Sequence, residues 1–84
     1  MKLSEVILGT GARGETGGDP EIVRVTGDSR EVVPGALFFA LPGTVRDGHD
    51  FAAEAARRGA VAVVAERPVP CAPAALLLAR GLEA

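Results

Sequence analysis

Residues 25–51, VTGDSREVVPGALFFALPGTVRDGHDF, decide how this chain folds. An apolar segment ends in the polar cluster Thr26, Asp28, Ser29 and Arg30. Pro34–Gly35 then turns the chain, the proline fixing one backbone angle and the glycine allowing a positive one. Leu37 to Leu41 is an apolar run of strand length, expected to be buried on both faces. A second glycine turn at Gly43 leads to Asp47-Gly48-His49-Asp50, which opens a helix. Two polar loops therefore follow two strands and return at a similar level. At the strand ends of a small α/β sheet, such loops are a usual seat for a small polar ligand.

Downstream, Asp50 to Arg58 (DFAAEAARR) reads as that helix. Alanine favours it, and Phe51, Ala52, Ala55 and Ala56 form the inward stripe. Asp47 or Asp50 is placed to accept from first-turn amides. Arg57 and Arg58 complement the negative C-terminal end, and Gly59 stops the helix. Ala60 to Ala65 (AVAVVA) is a continuous apolar strand. Strand, helix and strand of these lengths make a βαβ unit, so these two strands should be parallel.

Upstream, Glu21 to Thr26 is β-branched and alternating, the mark of a strand. Residues 9–20, GTGARGETGGDP, hold five glycines and a proline and cannot sustain regular structure. Gly9, Gly11 and Gly14 spell GxGxxG, but no firm strand precedes them and no helix follows, so a dinucleotide loop is not expected. The stretch reads as a mobile surface loop. Lys2 to Leu8 is open between a short helix and a short strand; Ser4 is a candidate cap for a helix. Beyond Ala65, the prolines of Glu66 to Pro73 make a loop. Ala74 to Ala79 has the length of a fourth strand, with a helix as the alternative. The fold expected is α/β: a small mixed or mostly parallel sheet of about four strands with one principal crossover helix.

The chain has 84 residues, enough for one small domain with one modest core. With three Phe and no Trp or Tyr, that core must be made of Val, Leu, Ile and Ala. The formal net charge is −2, which argues against nucleic-acid binding through a basic face. No apolar run approaches the ~20 residues needed to cross a bilayer. One cysteine, Cys71, cannot make an internal disulfide, so a reducing cytoplasm is the expected compartment. Cys71 sits between prolines with no basic neighbour to activate it and is expected to be inert. His49, the only histidine, has no metal partners and no nucleophile beside it.

Asp28-Ser29-Arg30, Val32, Pro34-Gly35, Leu37-Phe38, Ala40, Gly43, Asp47-Gly48-His49, Phe51, Ala55 and Gly59-Ala60 stand at the spacing of one family's pattern. The chain resembles the N-terminal domain of bacterial Mur ligases, of the MurE type, with the MurF type as the near alternative. The resemblance covers Val25 to about Glu66 strongly and extends loosely to the fourth strand. It implies that residues 1–84 are the UDP-substrate-binding domain, a fragment of a larger three-domain ligase. That ligase would add the third peptide residue to UDP-MurNAc-L-Ala-D-Glu; the MurF type instead adds D-Ala-D-Ala. By position, Gly27 and Ser29 would contact the uridine part of the substrate, and Thr44, Val45 and Arg46 would lie on a second loop closing on it. Asp28, Arg30, Asp47 and His49 would support the loops. No GxxxxGKS/T loop is present. The resemblance accordingly implies no catalytic residue, no metal and no cofactor in this chain, with ATP and magnesium in the central domain. The expected partners are the UDP-MurNAc-dipeptide and the central and C-terminal domains, and neither nucleic acid nor membrane. A reading of another class stays beside this one: a non-catalytic module that binds a protein through its glycine-rich loop and acidic surface.

Overall fold

The computed structural model describes residues 1–8, 10–14, 18–40, 48–71 and 74–79, the side chains of residues 48 and 49 excepted. Its elements are α1 (Leu3–Ile7), β1 (Arg24–Thr26), a first 3-10 turn (Ser29–Glu31), β2 (Ala36–Phe39), a second 3-10 turn (Gly48–Phe51), α2 (Ala52–Arg57), β3 (Ala62–Ala65) and β4 (Ala75–Leu78). The four strands form one sheet in the order β1-β2-β3-β4, and every neighbouring pair is parallel. All four strands therefore point their C-terminal ends toward one edge. The expected α/β fold holds, and β4 is a strand rather than a helix.

The sheet is apolar on both faces along β2, β3 and β4, whose residues alternate between two cores. Ala36, Phe38, Val63 and Ala65 face α2 with Val32, Ala52, Ala55, Ala56 and Cys71. Leu37, Ala62, Val64 and Leu77 face the other way, toward Leu3 and Ile22. Alanine at 52, 55 and 56 gives α2 a small-residue inward stripe, as the sequence predicts.

The start of α2 differs from expectation. Its N-cap position is Phe51, and no side chain caps it. Asp50 lies instead within the second 3-10 turn, whose tighter winding leads into the helix. The end of α2 is as expected. The Gly59 N–H donates to the carbonyl of Ala56 (3.1 Å), the Ala60 N–H reaches back to Ala55 (3.1 Å), and Gly59 has φ +105°. These are the two bonds of a Schellman ending.

A second turn locks onto this ending. Pro34–Gly35 closes with the Ala36 N–H on the Val33 carbonyl (3.0 Å), and Gly35 has φ +90°, the sign a type II turn demands at that position. The Gly35 N–H donates to Gly59 (3.0 Å). A β-carbon on Gly59 would lie 2.7 Å from Pro34 Cα, so only glycine fits the approach.

The N-terminal third departs most from the sequence reading. Lys2 to Leu8 contains the helix α1, but Ser4 lies inside it and does not cap it. The Ser4 N–H and hydroxyl both donate to Asp19 (2.8 and 2.6 Å), which satisfies a first-turn amide from a distant loop. Glu21–Val23 falls outside β1, since the Ile22 N–H bonds to Met1 and Lys2 forms an antiparallel bridge with Glu21. The glycine-rich stretch is tied down as well. Arg13 exchanges both backbone bonds with Leu78 (2.9 and 2.7 Å), forming an antiparallel bridge on the outer edge of β4.

Candidate functional site

The loop leaving β1 is built almost entirely from its own residues. Thr26 Oγ1 accepts from the Asp28 N–H (3.0 Å) and fixes the chain as it leaves the sheet. Asp28 is then the N-cap of the first 3-10 turn, its Oδ1 accepting from the Arg30 N–H (2.9 Å). The Arg30 guanidinium folds back on the same carboxylate, Nε on Oδ1 (3.1 Å) and Nη2 on Oδ2 (2.9 Å). That fork is the geometry in which arginine and carboxylate bind best. Arg30 holds the Asp28 carboxyl below its ordinary pKa through its side-chain bond first and its backbone N–H second. The Arg30 pKa is raised in turn, by the same side-chain bond to Asp28. Arg24, on β1, closes the far side by donating Nη1 to the Glu31 carbonyl (3.0 Å).

Ser29 is 7% exposed and Val32 is anchored in the α2-side core, so the loop is tethered underneath as well as braced along its length. Gly27 sits at its crest, where only backbone is on offer.

Beside this loop lies a cleft of about 670 Å3 lined by Gly27, Asp28, Ser29, Arg30, Phe51, Glu54 and Arg58. The structure thus brings four of the residues singled out from the sequence together with three from the second 3-10 turn and α2. Glu54 and Arg58 were not expected there as a cleft wall. Their i,i+4 spacing was visible, and they do pair, Arg58 Nε to Glu54 Oε2 at 3.4 Å. Which way that pair faces depends on how the first 3-10 turn packs on α2, which no local pattern reveals. Thr44, Val45, Arg46 and Asp47 lie outside the described residues. The backbone of His49 belongs to the second 3-10 turn.

The cleft offers backbone groups, a serine, an aromatic side chain and two arginine–carboxylate pairs. It does not suit a divalent cation. Asp28 and Glu54 are each held by an arginine, and among the described residues no three of His, Cys, Asp and Glu lie together. A second cleft of about 620 Å3, lined by Thr10, Gly11, Arg13, Glu66, Leu78 and Ala79, opens beside the C-terminal ends of β3 and β4.

Residues 21–79 match the family model described as "Mur ligase family, catalytic domain". The chain belongs to the Mur ligase family. Within that family it is 60% identical over 53 residues to the UDP-N-acetylmuramoyl-L-alanyl-D-glutamate–2,6-diaminopimelate ligase of Geobacillus thermodenitrificans, a stretch covering 63% of this chain and 11% of that ligase. To the ligase of the same name from Brucella melitensis it is 46% identical over 74 residues, covering 88% of this chain and 15% of the relative. Among solved structures it is similar to MurF from Acinetobacter baumannii, with a TM-score of 0.79 and 28% identity over 94% of this chain and 18% of the other. The recognition as a Mur ligase N-terminal domain is borne out, with MurE-named relatives in sequence and MurF among its structural neighbours. The chain spans about a tenth to a fifth of the length of these Mur ligases.

Cys71 is 5% exposed within the α2-side core, and burial raises its thiol pKa. Among the described residues no helix is long and apolar enough to cross a membrane.

Proposed function

We propose that residues 1–84 form the UDP-substrate-binding domain of a larger three-domain Mur ligase of the MurE type. The domain holds the uridine diphosphate end of UDP-MurNAc-L-Ala-D-Glu, while ATP and magnesium act in the central domain. There an acyl phosphate forms and the amino group of the incoming residue attacks it, extending the peptidoglycan precursor in the cytoplasm. This chain by itself binds and does not turn over. One observation carries the reading: the braced loop at the end of β1, within the stretch that matches the Mur ligase family model, walls a cleft large enough for a nucleotide. Uracil presents two carbonyl acceptors and one N–H donor, which the backbone at Gly27 and the hydroxyl of Ser29 can match. Thr44, Val45 and Arg46 close on the same nucleotide from the loop after β2. Asp28 and Arg30 hold the first loop; Asp47 and His49 hold the second. The MurF type is the alternative, favoured by the likeness to MurF structures, but the higher identity to diaminopimelate ligases supports the MurE type.

A backbone-assigned NMR titration of this chain with UDP-MurNAc-L-Ala-D-Glu and with UDP tests the proposal. Saturable shifts at Gly27–Arg30 and Thr44–Asp47, alike for both ligands, are the expected result. Shifts confined to Thr10–Arg13 would move the site to the second cleft, and none at millimolar ligand would overturn the reading for this chain.

A further inference from the structure

The cleft holds two guanidinium groups, and the structure shows them in different states of commitment. Arg30 is engaged at Nε and Nη2 by both oxygens of Asp28, at 3.1 and 2.9 Å. Moving it would also leave the N-cap carboxylate of the first 3-10 turn without its strongest partner. Arg58 Nε stands 3.4 Å from Glu54 Oε2, longer than the ~2.7–2.9 Å of a charge-assisted hydrogen bond. The two side chains are 46% and 38% exposed, so the pair is a weak one that water readily replaces.

We propose that Arg58 is the phosphate-directed cation of the cleft: it leaves Glu54 and grips the diphosphate of a bound nucleoside diphosphate, while Arg30 stays on Asp28. Arg58 is anchored at the end of α2 by its own N–H, which donates to Glu54 and Ala55 carbonyls (3.0 and 3.1 Å), so the backbone is fixed and the long side chain moves alone. A planar guanidinium meets two phosphate oxygens side by side, a better match than one distant carboxylate oxygen. Glu54, released, is exposed enough to be solvated. It remains a negative charge beside the incoming anion and opposes it, so Arg58 and Glu54 act on affinity with opposite signs. This inference rests on the nucleotide reading of the cleft.

Isothermal titration of this chain with UDP and with uridine, at low and moderate salt, separates the two. Arg58→Gln is expected to weaken UDP about five- to tenfold and to leave uridine within about twofold. Glu54→Gln is expected to tighten UDP about two- to threefold. Arg57→Gln, the neighbouring charge outside this cleft, serves as the control for net charge and should match the parent chain. If UDP binds the parent and Arg58→Gln equally, or if Arg57→Gln weakens it as much, Arg58 has no special role and the inference falls alone. If neither UDP nor uridine binds the parent chain, the nucleotide reading falls with it. Arg58→Lys, which keeps the charge without the fork, should recover part of the loss; full recovery would overturn the fork but not the charge.

Discussion

The turn after β1 and the glycine-rich stretch before it are both polar and short of regular structure, yet local and distant bonds hold them in different proportions. The turn is made by neighbours: Thr26 holds Asp28, and Asp28 holds Arg30, each two residues on. Of the described residues in the glycine-rich stretch, Arg13 and Asp19 are held from afar, by Leu78 on β4 and by Ser4 on α1, while Thr10 and Ala12 are braced locally. A loop braced largely by its own residues depends least on the rest of the fold. A loop that borrows its braces reports on the whole fold.

The sharpest way to break this contrast is Gly14→Ala. The new β-carbon would lie 2.3 Å from the Leu76 carbonyl oxygen and 2.9 Å from a Leu77 methyl, so the Arg13–Leu78 bridge must open. We expect a loss of about 2–3 kcal/mol in urea denaturation, with amide protection lost at Leu78 while the turn after β1 keeps its shifts. Asp28→Ala should do the converse, a smaller loss from removal of the N-cap, with perturbation confined to residues 26–32. Gly11→Ala meets nothing within 4 Å, and its φ of +74° leaves only backbone strain, roughly 1 kcal/mol at most. Arg30→Gln should cost the least, with a denaturation midpoint close to the parent's, because an 82% exposed arginine contributes little to stability.

Acid distinguishes the two regions again. Asp28 is held below its ordinary pKa by Arg30, and Asp19 by the hydroxyl and then the N–H of Ser4. A carboxylate depressed on folding contributes stability that is complete above the unfolded value of about 3.9 and is lost as pH falls through the folded one. Melting temperature should therefore fall below about pH 4, and less steeply in Asp28→Asn or Asp19→Asn than in the parent chain. By NMR, each substitution should flatten the acid response of its own region only.

The same contrast explains what was legible in the sequence. β2, α2, β3 and the Gly59 stop are written in local signals: an apolar run, an alanine stripe, a glycine where φ turns positive. The Asp28-Ser29-Arg30 turn was legible too, because its partners are two residues apart. The Ser4 cap was misread because its acceptor is Asp19, reached only when the glycine-rich stretch folds back. The expected strand from Glu21 shortened because Ile22 bonds to Met1 rather than to β2. The α2 wall of the cleft was not read from the sequence: Arg58 was taken as complementing the helix end, and its pairing with Glu54 beside the first 3-10 turn emerges from the packing.

The bridge between Arg13 and Leu78 also bears on how this protein behaves in a crowd. A parallel sheet has two open edges, and β4 reads ALLL, a segment whose unpaired backbone would invite a strand from another molecule. Arg13 takes the outward backbone donor and acceptor of Leu78, and Gly14 lies close against Leu76. Residues 13 and 14 thus leave the end of β4 less backbone to offer another strand.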